Sequence, residues 1–240
     1  MLLEVKSLYK TIRGIEILKD INFEIGEGEV VGFIGPNGAG KSTTLKLIVD
    51  LINADSGEVR INNIKVSESR EEALRYVGSI IESPSLYKYF SGYENLEIIR
   101  KIRRLPKEVT KKVIEQVGLK NRIKDKVFRY SLGMKQRLAL GMALLGEPKL
   151  LILDEPTNGL DPTGIMDLKT FIKDIAKKNN TAVLISSHQL LDIEQICDKF
   201  IFIKDGEIVG NFTKEDILQK YEGILQCYET VIRGENRCLV

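Results

Sequence analysis

Metal-binding and redox-active side chains are scarce in this chain, which has one histidine, three cysteines and no tryptophan. Cys197, Cys227 and Cys238 lie far apart and show none of the spacings that are typical of a metal site. We therefore interpret them as isolated, reduced thiols of a cytosolic protein, a compartment in which disulfides are rare.

Long apolar runs and an excess of charge of one sign are also missing. No apolar run approaches the ~18 residues that span a bilayer. Glu4 and Lys6 interrupt the apolar start of the chain, which argues against a secretory signal peptide. The formal net charge is only +2, and this argues against nucleic acid as the main partner. The 240 residues allow one large domain or two small ones with a substantial core.

Strand patterns occur at both ends of the chain. Residues 3–25 alternate in the strand manner, and short apolar runs at 30–34, 150–153 and 181–186 suit strands that are buried on both faces. Because helical segments separate these runs, the pattern predicts an α/β fold with a mainly parallel sheet. A hairpin is predicted at 200–209.

Helical spacing dominates the middle of the chain, from about 91 to 146, as if a helical unit were inserted into the sheet. Another helix is predicted to begin at Asp161-Pro162, where Asp suits the N-cap and Pro the first helical position. The more polar segment 214–240 predicts a peripheral helix and a tail.

A glycine-rich segment follows the first buried strand and precedes a helix, with the spacing Gly-x-x-x-x-Gly-Lys-Ser. Its backbone N–H groups are expected to form an anion nest, to which the helix N-terminus adds partial positive charge. Lys41 should reach the β- and γ-phosphates of ATP, and Ser42 should offer its hydroxyl to Mg²⁺. The predicted phosphate loop consists of Gly35, Pro36, Asn37, Gly38, Ala39, Gly40, Lys41, Ser42 and Thr43.

Two acids and the single histidine follow the second and third buried strands. The carboxyl ends of parallel strands meet at one ligand crevice, so Asp154, Glu155 and His188 are expected beside the phosphate loop. Asp154 is placed to hold Mg²⁺ through its water shell, and Glu155 to polarise an attacking water as a general base. His188 is placed to hydrogen-bond the γ-phosphate.

A further segment narrows the class of ATPase. It reads Tyr130-Ser131-Leu132-Gly133-Met134 and continues as Lys135-Gln136-Arg137. It resembles the signature segment, commonly Leu-Ser-Gly-Gly-Gln, of the ATP-binding subunits of ABC transporters. Asp161 matches the D-loop aspartate of that family, and His188 matches its switch histidine.

The resemblance covers nearly all of residues 1–213 and implies a P-loop NTPase of the ABC ATPase fold. It implies an N-terminal antiparallel β subdomain, a helical subdomain inserted at about 85–147, and a C-terminal extension at 214–240. It also implies a head-to-tail homodimer that encloses ATP and Mg²⁺, in which Ser131 and Gly133 bind the γ-phosphate held by the partner's Lys41. Integral membrane permease subunits would be the further partners, which places the chain on the inner face of the cell membrane.

Several positions depart from the usual family pattern. Glu82 stands where the family has a glutamine that touches Mg²⁺ and water, so the resemblance assigns Glu82 to catalysis and to the metal. Leu132 and Met134 replace a glycine and a glutamine of the signature. Ile12 aligns with the aromatic residue that stacks on adenine, which predicts a nucleotide contact but a weak stacking platform. With a glutamate at position 82, the chain resembles the ATPases of bacitracin- and lantibiotic-type peptide exporters.

Other functions of the superfamily fit less well. Soluble ABC proteins that act on ribosomes generally carry two cassettes, and this chain has a single phosphate loop. DNA-repair and chromosome ATPases carry long heptad coiled coils, which are missing here. The function of an importer subunit remains an alternative to that of an exporter subunit.

Two surface features each have two interpretations. The aromatic residues between Glu82 and Asn95 suit a socket for the permease, or several of them belong to the core. The basic cluster at 100–104 faces anionic lipid headgroups or, as we predict, forms a solvated helix face.

Overall fold

The computed structural model describes residues 1–233, apart from the side chain of Asp192. The strands are β1 (Leu3–Ile12), β2 (Ile15–Ile25), β3 (Val30–Ile34), β4 (Ser56–Ile61), β5 (Ile64–Lys65), β6 (Val77–Ile80), β7 (Leu150–Asp154), β8 (Ala182–Ser187), β9 (Lys199–Lys204) and β10 (Glu207–Thr213). The helices are α1 (Lys41–Ile48), α2 (Arg70–Leu74), α3 (Gly92–Ile102), α4 (Lys107–Gln116), α5 (Leu132–Leu144), α6 (Pro162–Asn179), α7 (Leu190–Ile193), α8 (Lys214–Lys220) and α9 (Ile224–Arg233). The end of the predicted tail, with Cys238, lies outside the described residues.

The strands form two sheets. A four-stranded antiparallel sheet has the order β2-β1-β4-β5, and a six-stranded sheet has the order β10-β9-β3-β8-β7-β6. In the second sheet β9, β3, β8, β7 and β6 run parallel, and β10 pairs with β9 as an antiparallel hairpin. The prediction of a mainly parallel sheet with an N-terminal antiparallel sheet is therefore confirmed.

The central strands are apolar because helices or the other sheet cover both of their faces. Every residue of β3, β7 and β8 is buried. One face packs against the antiparallel sheet and α1, with Phe33 and Leu45 in a shared core. The other face packs against α5 and α6, with Leu140 and Ile172 among the contacts. Burial on both faces suits parallel strands and fixes their order.

The inserted helices have a small core of their own. Leu96 of α3, Val113 of α4 and Leu138 of α5 belong to one buried cluster. The second half of α5 packs instead on the main sheet, through Ala139 and Ala143. Helix α5 therefore connects the helical part to the sheet.

The C-terminal segment forms two short helices where one was predicted. Both helices pack on the β9–β10 hairpin, where Tyr228 meets Phe202 edge to face at 5.7 Å and Tyr221 meets Phe212 at 6.1 Å. Lys204 Nζ donates to the carbonyl of Ile232 at 2.8 Å. Cys227 is a free, buried thiol whose pKa is raised by burial to about 11. Among residues 1–233, none of the helices has the length and apolar character that crossing a bilayer requires.

The basic cluster is only partly a solvated face. Arg100 pairs with Glu97 at 2.8 Å on the same helix. Arg103 donates to the carbonyl of Leu145 at 2.7 Å and to that of Val77 at 3.0 Å, which ties α3 to the main sheet. Desolvation of this guanidinium lowers the pKa of Arg103. The predicted solvated face was therefore wrong for Arg100, whose side chain is 11% exposed, whereas Lys101, Arg103 and Arg104 are exposed.

Asn95 fixes the loop that precedes α3. It is fully buried, donates from Nδ2 to the carbonyls of Ser91 (2.9 Å) and Tyr87 (3.2 Å), and accepts from the Tyr87 N–H (2.9 Å). Ser91 forms a capping box with Glu94 at the start of the helix. Hydrogen bonds from Ser91 hold the pKa of Glu94 at about 2.

We expect Asn95→Ala to lower the free energy of unfolding by about 2 kcal/mol, because it removes three hydrogen bonds that a buried amide makes to the backbone of Tyr87 and Ser91. Urea denaturation followed by circular dichroism measures this difference. Asn121→Ala, at an exposed position, is the control and should change stability by less than about 0.5 kcal/mol. Equal stability of the two variants would contradict the role of Asn95.

Candidate active site

The predicted phosphate loop joins β3 to α1, as expected. Two of its glycines, Gly35 and Gly40, are required by close packing. A side chain on Gly35 would overlap the carbonyl oxygen of Ile203. Gly40 has a φ of +104°, and a Cβ there would lie 2.5 Å from Leu18 Cδ2. The loop is thereby held against β2 and β9, with its backbone at the N-terminus of α1, where N–H groups attract anions.

Lys41 is the charged residue that the loop brings into the site. Its side chain is 6% exposed, and Nζ donates to the carbonyls of Gly35 at 2.7 Å and Pro36 at 3.1 Å. The same Nζ lies 3.5 Å from Glu155 Oε1. A buried ammonium group beside a nest of N–H groups provides strong positive potential for phosphate oxygens.

The carboxylates are fixed by a serine that the sequence interpretation missed. Strands β7 and β8 pair with Asp154 opposite Ser186. Ser186 Oγ donates to Asp154 Oδ1 at 2.5 Å and accepts from the backbone N–H of Glu155 at 2.9 Å. Ser186 is fully buried. The only sequence signal was a hydroxyl group at the end of an apolar strand.

Glu155 is held from three directions. Its backbone has a φ of +47°, a left-handed conformation that is uncommon for a residue with a side chain and is found at functional sites. Its Oε2 lies 2.7 Å from His188 Nδ1 and accepts the His188 backbone N–H at 3.3 Å. Its Oε1 faces Lys41. The structure thus brings Lys41, Asp154, Glu155 and His188 together at one edge of the sheet.

Glu82 makes a contact that the sequence did not predict. It follows β6 with a φ of +61°, and its carboxylate forms an ion pair with Lys46 of α1. The Glu82 side chain is 64% exposed. Its described contact is therefore with a lysine, and not with Ser42 or Asp154. Lys46 was also missed by sequence reasoning.

The signature segment begins α5. Ser131 is the N-cap, and its hydroxyl accepts from the Met134 N–H at 3.3 Å. A Cβ at Gly133 would meet nothing within 4 Å. Asp161 caps α6 by accepting from the Gly164 N–H at 2.8 Å. All three residues lie at helix N-termini, and the side chains of Ser131 and Asp161 bond within their own helices rather than to the phosphate loop.

Ile12 lies at the tip of the β1–β2 hairpin and is 40% exposed. Tyr9 on the same strand is 36% exposed. Strand β2 reaches the phosphate loop through Leu18. At the tip, Ile12 offers an aliphatic side chain and no aromatic ring for stacking on adenine.

The donor set fits Mg²⁺ shared with a nucleotide. Oxygen donors near the loop are the Ser42 hydroxyl and the Asp154 carboxylate, a chemistry that Mg²⁺ prefers. Within residues 1–233 no group of three or more His, Cys, Asp or Glu side chains forms a metal cage. A site with few protein ligands suits Mg²⁺, which usually keeps waters and phosphate oxygens as its other ligands.

Known proteins share both the sequence and the fold. A family model described as ABC transporter matches residues 18–158. An uncharacterised ABC transporter ATP-binding protein, YhcH of Bacillus subtilis, is 46% identical over 86% of this chain and 68% of its own length. The bacitracin transport ATP-binding protein BcrA of Enterococcus faecalis is 42% identical over the same shares. The lantibiotic transport ATP-binding protein SrtF of Streptococcus pyogenes is 41% identical over 87% of this chain and 89% of its own.

Solved structures of ATP-binding cassettes have the same fold as this chain. The ATP-binding subunit of an ABC transporter superposes with a TM-score of 0.82 at 33% identity, covering 92% of this chain and 93% of that one. The cassette MJ0796, in a dimeric post-hydrolysis state with ADP and phosphate, superposes with a TM-score of 0.79 at 27% identity, covering 88% and 98%. This family and this fold are those of an ATPase, and the chain belongs to the ATP-binding subunits of the ABC transporter family.

Proposed function

We propose that the chain hydrolyses ATP as a homodimer on the cytoplasmic face of the cell membrane and drives a separate permease that exports a peptide antibiotic or a similar amphiphile. The observation that carries the hydrolytic part is the fixed position of Glu155 between His188 and Lys41. In this proposal residues 1–213 form the ATP-binding domain, with the helical subdomain at about 85–147, and 214–240 form an extension.

The roles of the side chains follow from their chemistry. Lys41 and the N–H groups of residues 35–43 bind the phosphates. Ser42 and Asp154 would hold Mg²⁺, which when bound neutralises phosphate charge. Glu155 accepts a proton from the attacking water.

Three further roles are included in the proposal. His188 orients Glu155 and approaches the γ-phosphate, since its ring already bonds to that carboxylate at 2.7 Å. Ile12 borders the adenine ring of ATP. Glu82 would act in catalysis by approaching Mg²⁺ and the attacking water from the end of β6, while Lys46 neutralises part of its charge.

A second copy is needed to close the site. Ser131 and Gly133 lie at an open helix N-terminus, where a partner's phosphate could approach without a steric barrier. Asp161 begins the neighbouring helix and belongs to the same contact surface. The dimeric state of the related cassette MJ0796 supports this arrangement.

A groove between the main sheet and the helical part suits a short helix of the permease. It has a volume of about 410 Å³ and includes Leu51, Ile81, Pro84, Ile99 and Met142. Its apolar lining and its position behind the loop at Glu82 would let a bound permease helix sense movements of the nucleotide site. Export rather than import is supported by the names of the relatives BcrA and SrtF.

The partner is tested by purifying the tagged chain from detergent-solubilised membranes of its native cell and identifying what accompanies it. We expect a multi-spanning permease. Recovery of ribosomes or DNA-bound factors without a permease would contradict the transporter role. A deletion strain tests export separately, because it should become more sensitive to a peptide antibiotic. Unchanged sensitivity to a panel of such peptides would contradict export of that class.

Glu155→Gln should lower the rate of ATP hydrolysis by about 10²- to 10⁴-fold, because the base is lost while the phosphate loop stays intact. The variant should retain ATP through gel filtration. Glu147→Gln is the control, since Glu147 has a similar left-handed backbone (φ +52°) on the surface. If Glu155→Gln turned over at the parent rate, Glu155 would not be the base.

Gly133→Ala should lower hydrolysis by about 10²-fold, because a methyl group at the open helix start displaces the partner's phosphate from its productive position. ATP binding to the single chain should not change. Gly223→Ala is the matched control, since a Cβ there also meets nothing within 4 Å. Full activity of Gly133→Ala would rule out a phosphate contact at this position.

A further inference from the structure

Five aromatic side chains project from one surface of the helical part. Tyr87, Tyr89, Phe90, Tyr93 and Phe128 are between 43% and 82% exposed. We call these five residues the aromatic patch. The alternative that they belong to the core is thereby wrong for all four that lie between Glu82 and Asn95. So many exposed rings in one place mark an interaction surface.

Ring contacts join four members of the patch in two pairs, and one of these pairs links two segments of the chain. The ring of Tyr87 stacks on Phe90 at 5.5 Å, and Tyr89 meets Phe128 at 6.4 Å. The backbone N–H of Phe128 donates to the carbonyl of Lys88 at 2.9 Å. Asn95 anchors the first segment from below. The rings are therefore held outward by the fold.

Positive charge surrounds the patch. Exposed cations are contributed by Lys88, Arg122, Lys124, Lys126 and Arg129. The guanidinium of Arg129 lies 5.4 Å from the centre of the Phe128 ring.

The two nearby carboxylates are already engaged. Glu94 accepts from Ser91 and lies 3.3 Å from Lys126, and Asp125 pairs with Arg122 at 2.5 Å. The surface thus has a net positive charge, while the whole chain has only +2.

The shape of the patch separates two kinds of partner. A helix of the permease needs a concave, apolar site, and the groove at Leu51, Pro84 and Met142 provides one next to the patch. The patch itself projects, and Tyr89 is 82% exposed. Projecting tyrosines with lysine and arginine beside them have the composition of proteins that rest on bilayer interfaces, where rings enter the headgroup layer and cations meet lipid phosphates.

We propose that the aromatic patch and its basic rim bind the anionic surface of the lipid bilayer. This inference uses the proposed function only in that a permease brings the chain to the membrane. Lipid contact would fix the orientation of the helical part beside the permease. It would also strengthen the attachment to the permease that the groove provides.

Co-sedimentation of the full chain with vesicles tests the proposal directly. Phosphatidylglycerol in phosphatidylcholine should bind the chain, phosphatidylcholine alone should bind it weakly, and added salt should release it. The variant Lys88→Gln/Arg129→Gln should bind about 25-fold more weakly, at about fivefold for each cation. Lys173→Gln/Lys177→Gln on α6 makes the same change of charge elsewhere and should bind like the parent.

A tryptophan reporter gives a second readout, because the chain has no tryptophan of its own. In Tyr89→Trp the fluorescence should shift to the blue when anionic vesicles are added. Leu218→Trp, at a position 66% exposed on α8 at the other end of the molecule, should not shift.

Equal binding to both kinds of vesicle, or unchanged binding by the Lys88→Gln/Arg129→Gln variant, would overturn the proposal. The proposal would also be overturned if the chain did not bind to vesicles and its patch cross-linked only to an acidic segment of the permease. ATP hydrolysis should stay at the parent rate in each variant. Failure of lipid binding is therefore distinguishable from failure of the proposed ATPase and transport function.

Discussion

The hydrogen bonds of Ser186 determine the geometry of the whole site. This buried hydroxyl bonds to the carboxylate of Asp154 and to the backbone N–H of Glu155, and so it couples the ends of β7 and β8. A slip of one residue between these strands would turn their side chains to the opposite faces. The left-handed backbone of Glu155, the contact with His188 and the approach of Lys41 all depend on this register.

The rest of the fold extends outward from that edge. The phosphate loop is packed against β2 and β9, so that the antiparallel sheet restrains the same residues as the main sheet. Helix α5 begins at the open signature segment, with Ser131 as its cap, and ends against the main sheet. Arg103 joins α3 to β6. A movement at the strand ends therefore has rigid paths to the helical part, where the groove and the aromatic patch lie.

Local patterns explain what the sequence could predict. The strand–loop–helix setting of the glycine-rich segment, the buried strands and the cap of α6 each depend on residues close together in the chain, and all three are confirmed. Contacts between distant residues were missed. No sequence pattern indicated the hydrogen bonds of Ser186, the pairing of Lys46 with Glu82, or the two carbonyls that Arg103 binds. The C-terminal segment divides into two helices because the β9–β10 hairpin supplies aromatic partners that the local pattern does not reveal.

In the proposed dimer one chain cannot complete its ATP site, because Ser131 and Gly133 at the start of α5 would meet the phosphates held by the partner's Lys41. The most direct measurement is the rate of ATP hydrolysis per chain as a function of protein concentration at saturating ATP and Mg²⁺. A site that needs two chains predicts that the rate per chain rises with concentration and reaches a plateau as the dimer forms. A rate per chain that is constant from the lowest concentration, with the protein monomeric throughout by light scattering, would contradict it.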